Sequence, residues 1–128
     1  MSIYGHARTN IDDARLRIKR YDAISRLYPL ADFLASHDET DSCSALREIA
    51  NQLDASEEFV AVSRYLDFMR GGPPRFRDFY CGTIAILPEE DANQFRTLFS
   101  SVSCAMANVR LYLWRGLDDP LMQIRRSP

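Results

Sequence analysis

Lysine is almost missing from this chain: Lys19 stands alone beside 15 arginines. Histidine is nearly as scarce, so His6 and His37 are the only side chains that titrate near neutrality without a large perturbation. Three cysteines, Cys43, Cys81 and Cys104, lie far apart with no CxxC pair among them. Their odd number does not suit a disulfide framework, and a reducing cytosol is the compartment they fit. No run of 18 apolar residues occurs, which excludes a membrane span, and the first eight residues lack the apolar core of a signal peptide. The balance of 16 basic against 18 acidic groups excludes a polybasic nucleic-acid tail. Arginine without lysine is the composition of a GC-rich bacterial or phage genome, a compositional association only.

Chemistry is equally thin. No GxSxG elbow, Gly-rich phosphate loop or HExxH pair is present. His37-Asp38-Glu39-Thr40-Asp41 gathers several oxygen and nitrogen donors, but its spacing fits neither a calcium loop nor a zinc motif, and it reads as a solvated acidic loop. The carboxylate pairs Glu57/Glu58, Glu89/Glu90 and Asp118/Asp119 fall at helix starts or turns, where the helix dipole accounts for them. No cysteine has a histidine close by in sequence to form a thiolate pair. The expectation is a protein without catalysis, metal or cofactor.

What the chain does have is enough apolar content, 46% over 128 residues, to bury a core and form one domain. Its charge is segregated. Residues 1–28 carry six basic groups against three acidic, 29–58 one against eight, 59–87 four against two, and 88–128 five against five. An acidic middle segment can steer a cationic partner, or be a solvated face paired within the chain.

Apolar spacing is helical nearly throughout. After a flexible tail over 1–9, Asn10 suits an N-cap, and Ile11, Ala14, Ile18, Tyr21, Ile24, Leu27 and Tyr28 form a stripe. Pro29 is expected to kink or restart this helix, and 36–44 to form a loop. Leu46, Ile49, Ala50 and Leu53 share the face of a helix over about 44–53. Asp54-Ala55-Ser56 then turns, and Ser56 begins a helix presenting Phe59, Val62, Leu66 and Met69. Gly71-Gly72-Pro73-Pro74 is the clearest break. The stretch 75–87 has strand-like composition but also helical spacing at Phe76, Phe79, Tyr80, Thr83, Ile84 and Leu87, and helix is preferred because a lone strand has no obvious partner. Pro88 fits the first position of a long helix ending at Gly116, with a short tail over 120–128. The fold expected is all-α: a single-domain bundle of five or six helices around one long C-terminal helix.

That last helix carries two apolar lines. Phe95, Leu98, Phe99, Val102, Ala105, Met106, Val109, Tyr112 and Leu113 form a broad core stripe. Ser100, Cys104, Ala107, Leu111 and Trp114 form a second line that begins small and ends large. Small residues allow close approach and Leu111 with Trp114 add anchoring area, so Ala107, Leu111 and Trp114, with Tyr112 near the boundary, are candidates for a partner or homodimer seam. The competing reading is a central rod buried by its own chain.

Residues 46–66 resemble a helix-turn-helix motif over about 20 residues: Ile49, Ala50 and Leu53 match its first helix, Ser56 starts its second, and Val60 fills a core position. Asp54 stands where glycine is usual and Ser63 where an apolar residue belongs. The DNA-reading candidates are Ser56, Glu57 and Arg64, yet Glu57 and Glu58 would meet phosphates at the end that enters the groove. Arg70, Arg75 and Arg77 around Phe76, Phe79 and Tyr80 would suit single-stranded nucleic acid, or a core edge. By exclusion, the function expected is stoichiometric: a small cytoplasmic regulator, inhibitor, antiactivator or adaptor that binds another protein, for instance a transcription regulator, and self-associates. A DNA-binding regulator is the alternative.

Overall fold

The computed structural model describes residues 13–70 and 84–126, with side chains described over 14–70 and 84–113. Within them lie α1 (Asp13–Ser36), α2 (Thr40–Asp54), α3 (Glu58–Arg70), a single turn α4 (Ile84–Ile86) and α5 (Glu89–Arg126), with no strand among the described residues. The all-α expectation holds. The N-terminal tail, the cap at Asn10, the Gly-Gly-Pro-Pro break and the stretch from Arg75 to Thr83 lie outside the described residues.

α1 buries a different line from the one its apolar spacing suggests. Leu16, Ala23, Leu27, Leu30 and Leu34 are buried, at spacings that leave position 20 as the missing member. Ile18, Tyr21 and Tyr28 face out, Ile18 at 69% exposure. The reason is Arg20, which occupies the core register and is accommodated by an ion pair to Glu58 at 3.1 Å, the two side chains 11% and 1% exposed. Pro29 does not restart the chain; α1 passes through it unbroken. Pro29 and Ser25 both lie on the exposed side of α1, where water can take the place of the missing N–H donor. The buried neighbours Leu27, Leu30 and Ala31 offset the remaining cost.

The loop expected over 36–44 is shorter. α1 ends at Ser36 and α2 begins at Thr40, burying Ser42 and Cys43 along with Leu46, Ile49, Ala50 and Leu53. Both α1 and α2 end in the same way. Asp38 and Ser56 take left-handed backbone, φ 63° and 62°. The N–H of Asp38 donates to Ala35 O and that of Glu39 to Leu34 O, at 3.1 and 2.9 Å. The N–H of Ser56 donates to Leu53 O and that of Glu57 to Gln52 O, at 3.1 and 2.8 Å. These are Schellman closures built without glycine, on an aspartate and a serine. Ser56 is therefore the end of α2 and not the cap of α3. That cap is Glu57, whose carbonyl accepts the Ala61 N–H at 2.9 Å.

α3 is also turned by about one residue from its expected face. Glu58, Ala61, Tyr65 and Phe68 are buried, Phe59, Val62 and Leu66 are half-buried, and Met69 is exposed. Once Glu58 must meet Arg20 inside the bundle, the residues three and seven positions later follow it inward. α5 begins after Pro88, which stands one place before the first helical residue and accepts the Ala92 N–H at 2.9 Å. It does not stop at Gly116 but runs 38 residues to Arg126, across most of the expected C-terminal tail.

The four long helices pack as a ring, α1 against α2 and α5, and α3 against α2 and α5. Cross-links show the directions. Asp32–Arg47 (2.7 Å) and Tyr28–Asn51 (3.4 Å) set α2 antiparallel to α1. Arg26 Nη1 donates to Ser101 Oγ at 3.1 Å, and Lys19 Nζ lies 5.5 Å from the Tyr112 ring centre, so α5 is antiparallel to α1 as well. Tyr65 and Ser103 share a hydrogen bond of 2.8 Å between α3 and α5. The α5 stripe reads as expected: Phe95, Val102, Ala105, Met106, Val109 and Leu113 are buried and Leu98, Phe99 and Tyr112 pack partly against them. Each fully buried large side chain contributes roughly 1.5–3 kcal/mol. Among the described residues, no helix is long and apolar enough to cross a membrane.

Candidate interaction surface

The second line of α5 emerges uncovered. Ser100, Cys104, Ala107 and Leu111 are all exposed, Leu111 at 57%. They recur at four, three and four residues, on the side of the helix turned away from the ring. The central-rod reading, in which the chain's own helices cover this line, does not describe these residues. The Trp114 side chain lies outside the described residues. Tyr112 belongs elsewhere: it sits about 100° round the helix from Leu111, half-buried against the core and under Lys19. Its place on the boundary of the seam is therefore on the core side.

Next to this line a groove runs between α3 and α5. It has two connected compartments of about 320 and 180 Å³, both reached by Val62, Leu66 and Arg110. Met69 and Ala107 line the smaller one, and Arg70 the larger. Ala107 belongs both to the groove and to the exposed line, so the two meet there. The groove was not legible in the sequence. Its only signal there is that Val62, Leu66 and Met69 continue an apolar line past the width the core needs.

The DNA-reading candidates are scattered among other tasks. Ser56 is held in the left-handed closure of α2. Glu57 is exposed at the α3 cap, and Glu58 behind it is buried on Arg20. Arg64 pairs with Glu48 at 2.8 Å, both about half exposed. The left-handed residue of the turn is Ser56, two positions after the place where a helix-turn-helix carries its glycine.

His37 does not join a donor cluster. Its ring stacks on Phe33 at 4.3 Å between centroids, and Nδ1 lies 3.0 Å from the Phe33 carbonyl and 3.1 Å from Ser36 Oγ. Its position at the C-terminus of α1 suits that partnership. Among the described residues, no three or more His, Cys, Asp or Glu side chains are grouped so as to hold a metal ion. Cys43 is buried and Cys104 exposed, both as free thiols. Burial raises the Tyr65 hydroxyl above its ordinary pKa, a rise opposed by the hydrogen bond with Ser103.

No protein-family model, curated protein or solved structure matches this chain.

Proposed function

We propose that this protein acts stoichiometrically, binding another protein through the uncovered line of α5 and modulating it as an inhibitor, antiactivator or adaptor. The target on this reading is a regulatory protein, such as a transcription regulator, in a bacterial cytoplasm. Leu111 is the observation that carries the reading. A branched aliphatic side chain 57% exposed, one turn beyond Ala107 and two beyond Cys104, presents area at the end of a line that lets a partner come close. Covering the exposed part of Leu111 gains roughly 1 kcal/mol. The same line serves self-association, giving a homodimer in which each copy presents the same surface.

DNA binding through 46–66 is the weaker alternative. An exposed carboxylate, Glu57, stands at the end of α3 that would enter the groove, and Arg64 is already engaged by Glu48. The two readings separate in one experiment: affinity capture of the tagged protein from native lysate, with a Leu111→Ala/Trp114→Ala control and nuclease treatment in parallel. A nuclease-resistant partner that the double variant loses supports the α5 surface. Recovery of nucleic acid, or loss of every partner after nuclease, overturns it in favour of DNA binding.

A further inference from the structure

The groove between α3 and α5 has a chemistry of its own, and it specifies what enters it more narrowly than the exposed line does. Its floor is apolar, formed by Val62, Leu66, Met69 and Ala107. Its polar edge carries Arg70 and Arg110, both exposed and neither engaged in an ion pair among the described residues. No acidic side chain lines either compartment. Three other exposed or half-exposed arginines are held by acids, Arg26 by Asp22, Arg47 by Asp32 and Arg64 by Glu48, and Arg96 bonds to Asn93. Arg70 and Arg110 thus set two positive charges, with no carboxylate among the lining residues, beside an open apolar trough in a chain of net charge −2.

The walls decide the backbone form of the occupant. Both are helices whose interior N–H and C=O groups are already bonded within the helix, so a bound segment finds no main-chain partners there. It must satisfy its own backbone, which a helix does and an extended strand does not. Phe59 to Met69 on one wall and Ser103 to Leu113 on the other each span about 15 Å, close to three turns of a docked helix.

The arginines decide the charge. The chain's own segment after Arg70 brings Arg75 and Arg77 against one acid, Asp78, which is the wrong sign to neutralise them. A second copy applied symmetrically at this groove would set the same two arginines against their equivalents. We infer that the α3–α5 groove binds an amphipathic helix of a partner protein, one that lays an apolar i, i+3, i+4, i+7 face on Val62, Leu66 and Met69 and places acidic side chains against Arg70 and Arg110. This rests on the reading that the protein binds another protein, and it names the chemistry of what is bound.

Fluorescence anisotropy tests it with a labelled peptide of about four helical turns, leucine on one face and glutamate on both flanks. A second peptide has lysine in place of every glutamate. Both are titrated against the full chain and against Arg70→Glu/Arg110→Glu, whose folding is checked by circular dichroism; the two arginines are exposed and have no ion pair among the described residues, so unchanged helicity is expected. The glutamate peptide should bind the wild-type chain, weaken by about tenfold or more in the double variant, and give way there to the lysine peptide. Equal binding of the two peptides, indifference to the charge reversal, or no binding of the glutamate peptide overturns the inference. Failure here, with a captured partner still lost in Leu111→Ala/Trp114→Ala, removes the acidic helix and leaves the protein-binding reading standing. Retention of every captured partner in that variant removes the α5 reading whatever the peptides do.

Discussion

α1 and α5 each carry two apolar lines, and they differ in how plainly the buried one can be read. In α5 the broader line is buried, from Phe95 to Leu113, and the narrower one from Cys104 to Leu111 is left in water. In α1 the buried line of Leu16, Ala23, Leu27, Leu30 and Leu34 is interrupted by Arg20, while Ile18, Tyr21 and Tyr28 stay outward. The lesson is that apolar spacing ranks faces only when every inward position is apolar. One charged residue with a buried partner is enough to interrupt the pattern and hide the buried face, and the partner here is Glu58, 38 residues away in sequence.

The sharpest way to break that comparison is to remove the partner. Glu58→Ala leaves Arg20 without its countercharge inside the bundle and should cost about 3–5 kcal/mol in urea unfolding. Arg20→Met/Glu58→Leu should recover most of that loss, because apolar side chains of similar volume need no pairing. If the double variant is as unstable as the single one, the pair is not what holds α1 in register.

The two lines of α1 should differ next. Leu27→Ala, at a fully buried position, should cost about 2–5 kcal/mol. Ile18→Ala, two-thirds exposed, should stay within about 0.5 kcal/mol. Equal costs would restore the stripe that the apolar spacing suggests.

A smaller effect separates α3 from α5 by pH. Burial holds Tyr65 in its neutral form above the usual tyrosine pKa of 10.0, so above pH 10 the unfolded chain loses the proton while the folded chain keeps it. Tyr65 thus contributes stability that is complete below pH 10 and is lost as pH rises through the folded pKa. Tyr65→Phe should cost about 1 kcal/mol at neutral pH through the lost bond to Ser103, and should flatten the alkaline decline. An unchanged decline would place its cause in another group.

Much of the fold was legible from periodicity. The Leu46–Leu53 face of α2 and the core stripe of α5 follow it, because each is apolar without interruption, although α2 starts earlier and also buries Ser42 and Cys43. The departures share a cause in long-range structure. Arg20 and Glu58 misdirect the faces of α1 and α3, and neither is marked as buried by its neighbours in sequence. The turns at Asp38 and Ser56 conceal the ends of α1 and α2, because left-handed residues other than glycine leave no compositional mark. Pro29 and Gly116 mislead in the other direction, as helix-ending signals that the observed helices pass through. Of the candidate surface, the line through Ala107 and Leu111 could be read from spacing. The groove could not, because its two walls come from segments about 40 residues apart.

The smallest effect is chemical. With Cys81 replaced by serine, Cys104 on the exposed line should react with a thiol reagent well before the buried Cys43, and should slow as protein concentration rises if copies meet on that face. Equal rates would mean that the line is covered.

The most direct test of α5 as an interaction surface compares fold and association in the same sample. Leu111→Ala/Trp114→Ala and the wild-type chain are examined by circular dichroism and by sedimentation velocity over a range of concentrations. The account predicts unchanged helicity with weakened self-association in the double variant. Lost helicity with no separate effect on association would contradict it, and would return these side chains to the core.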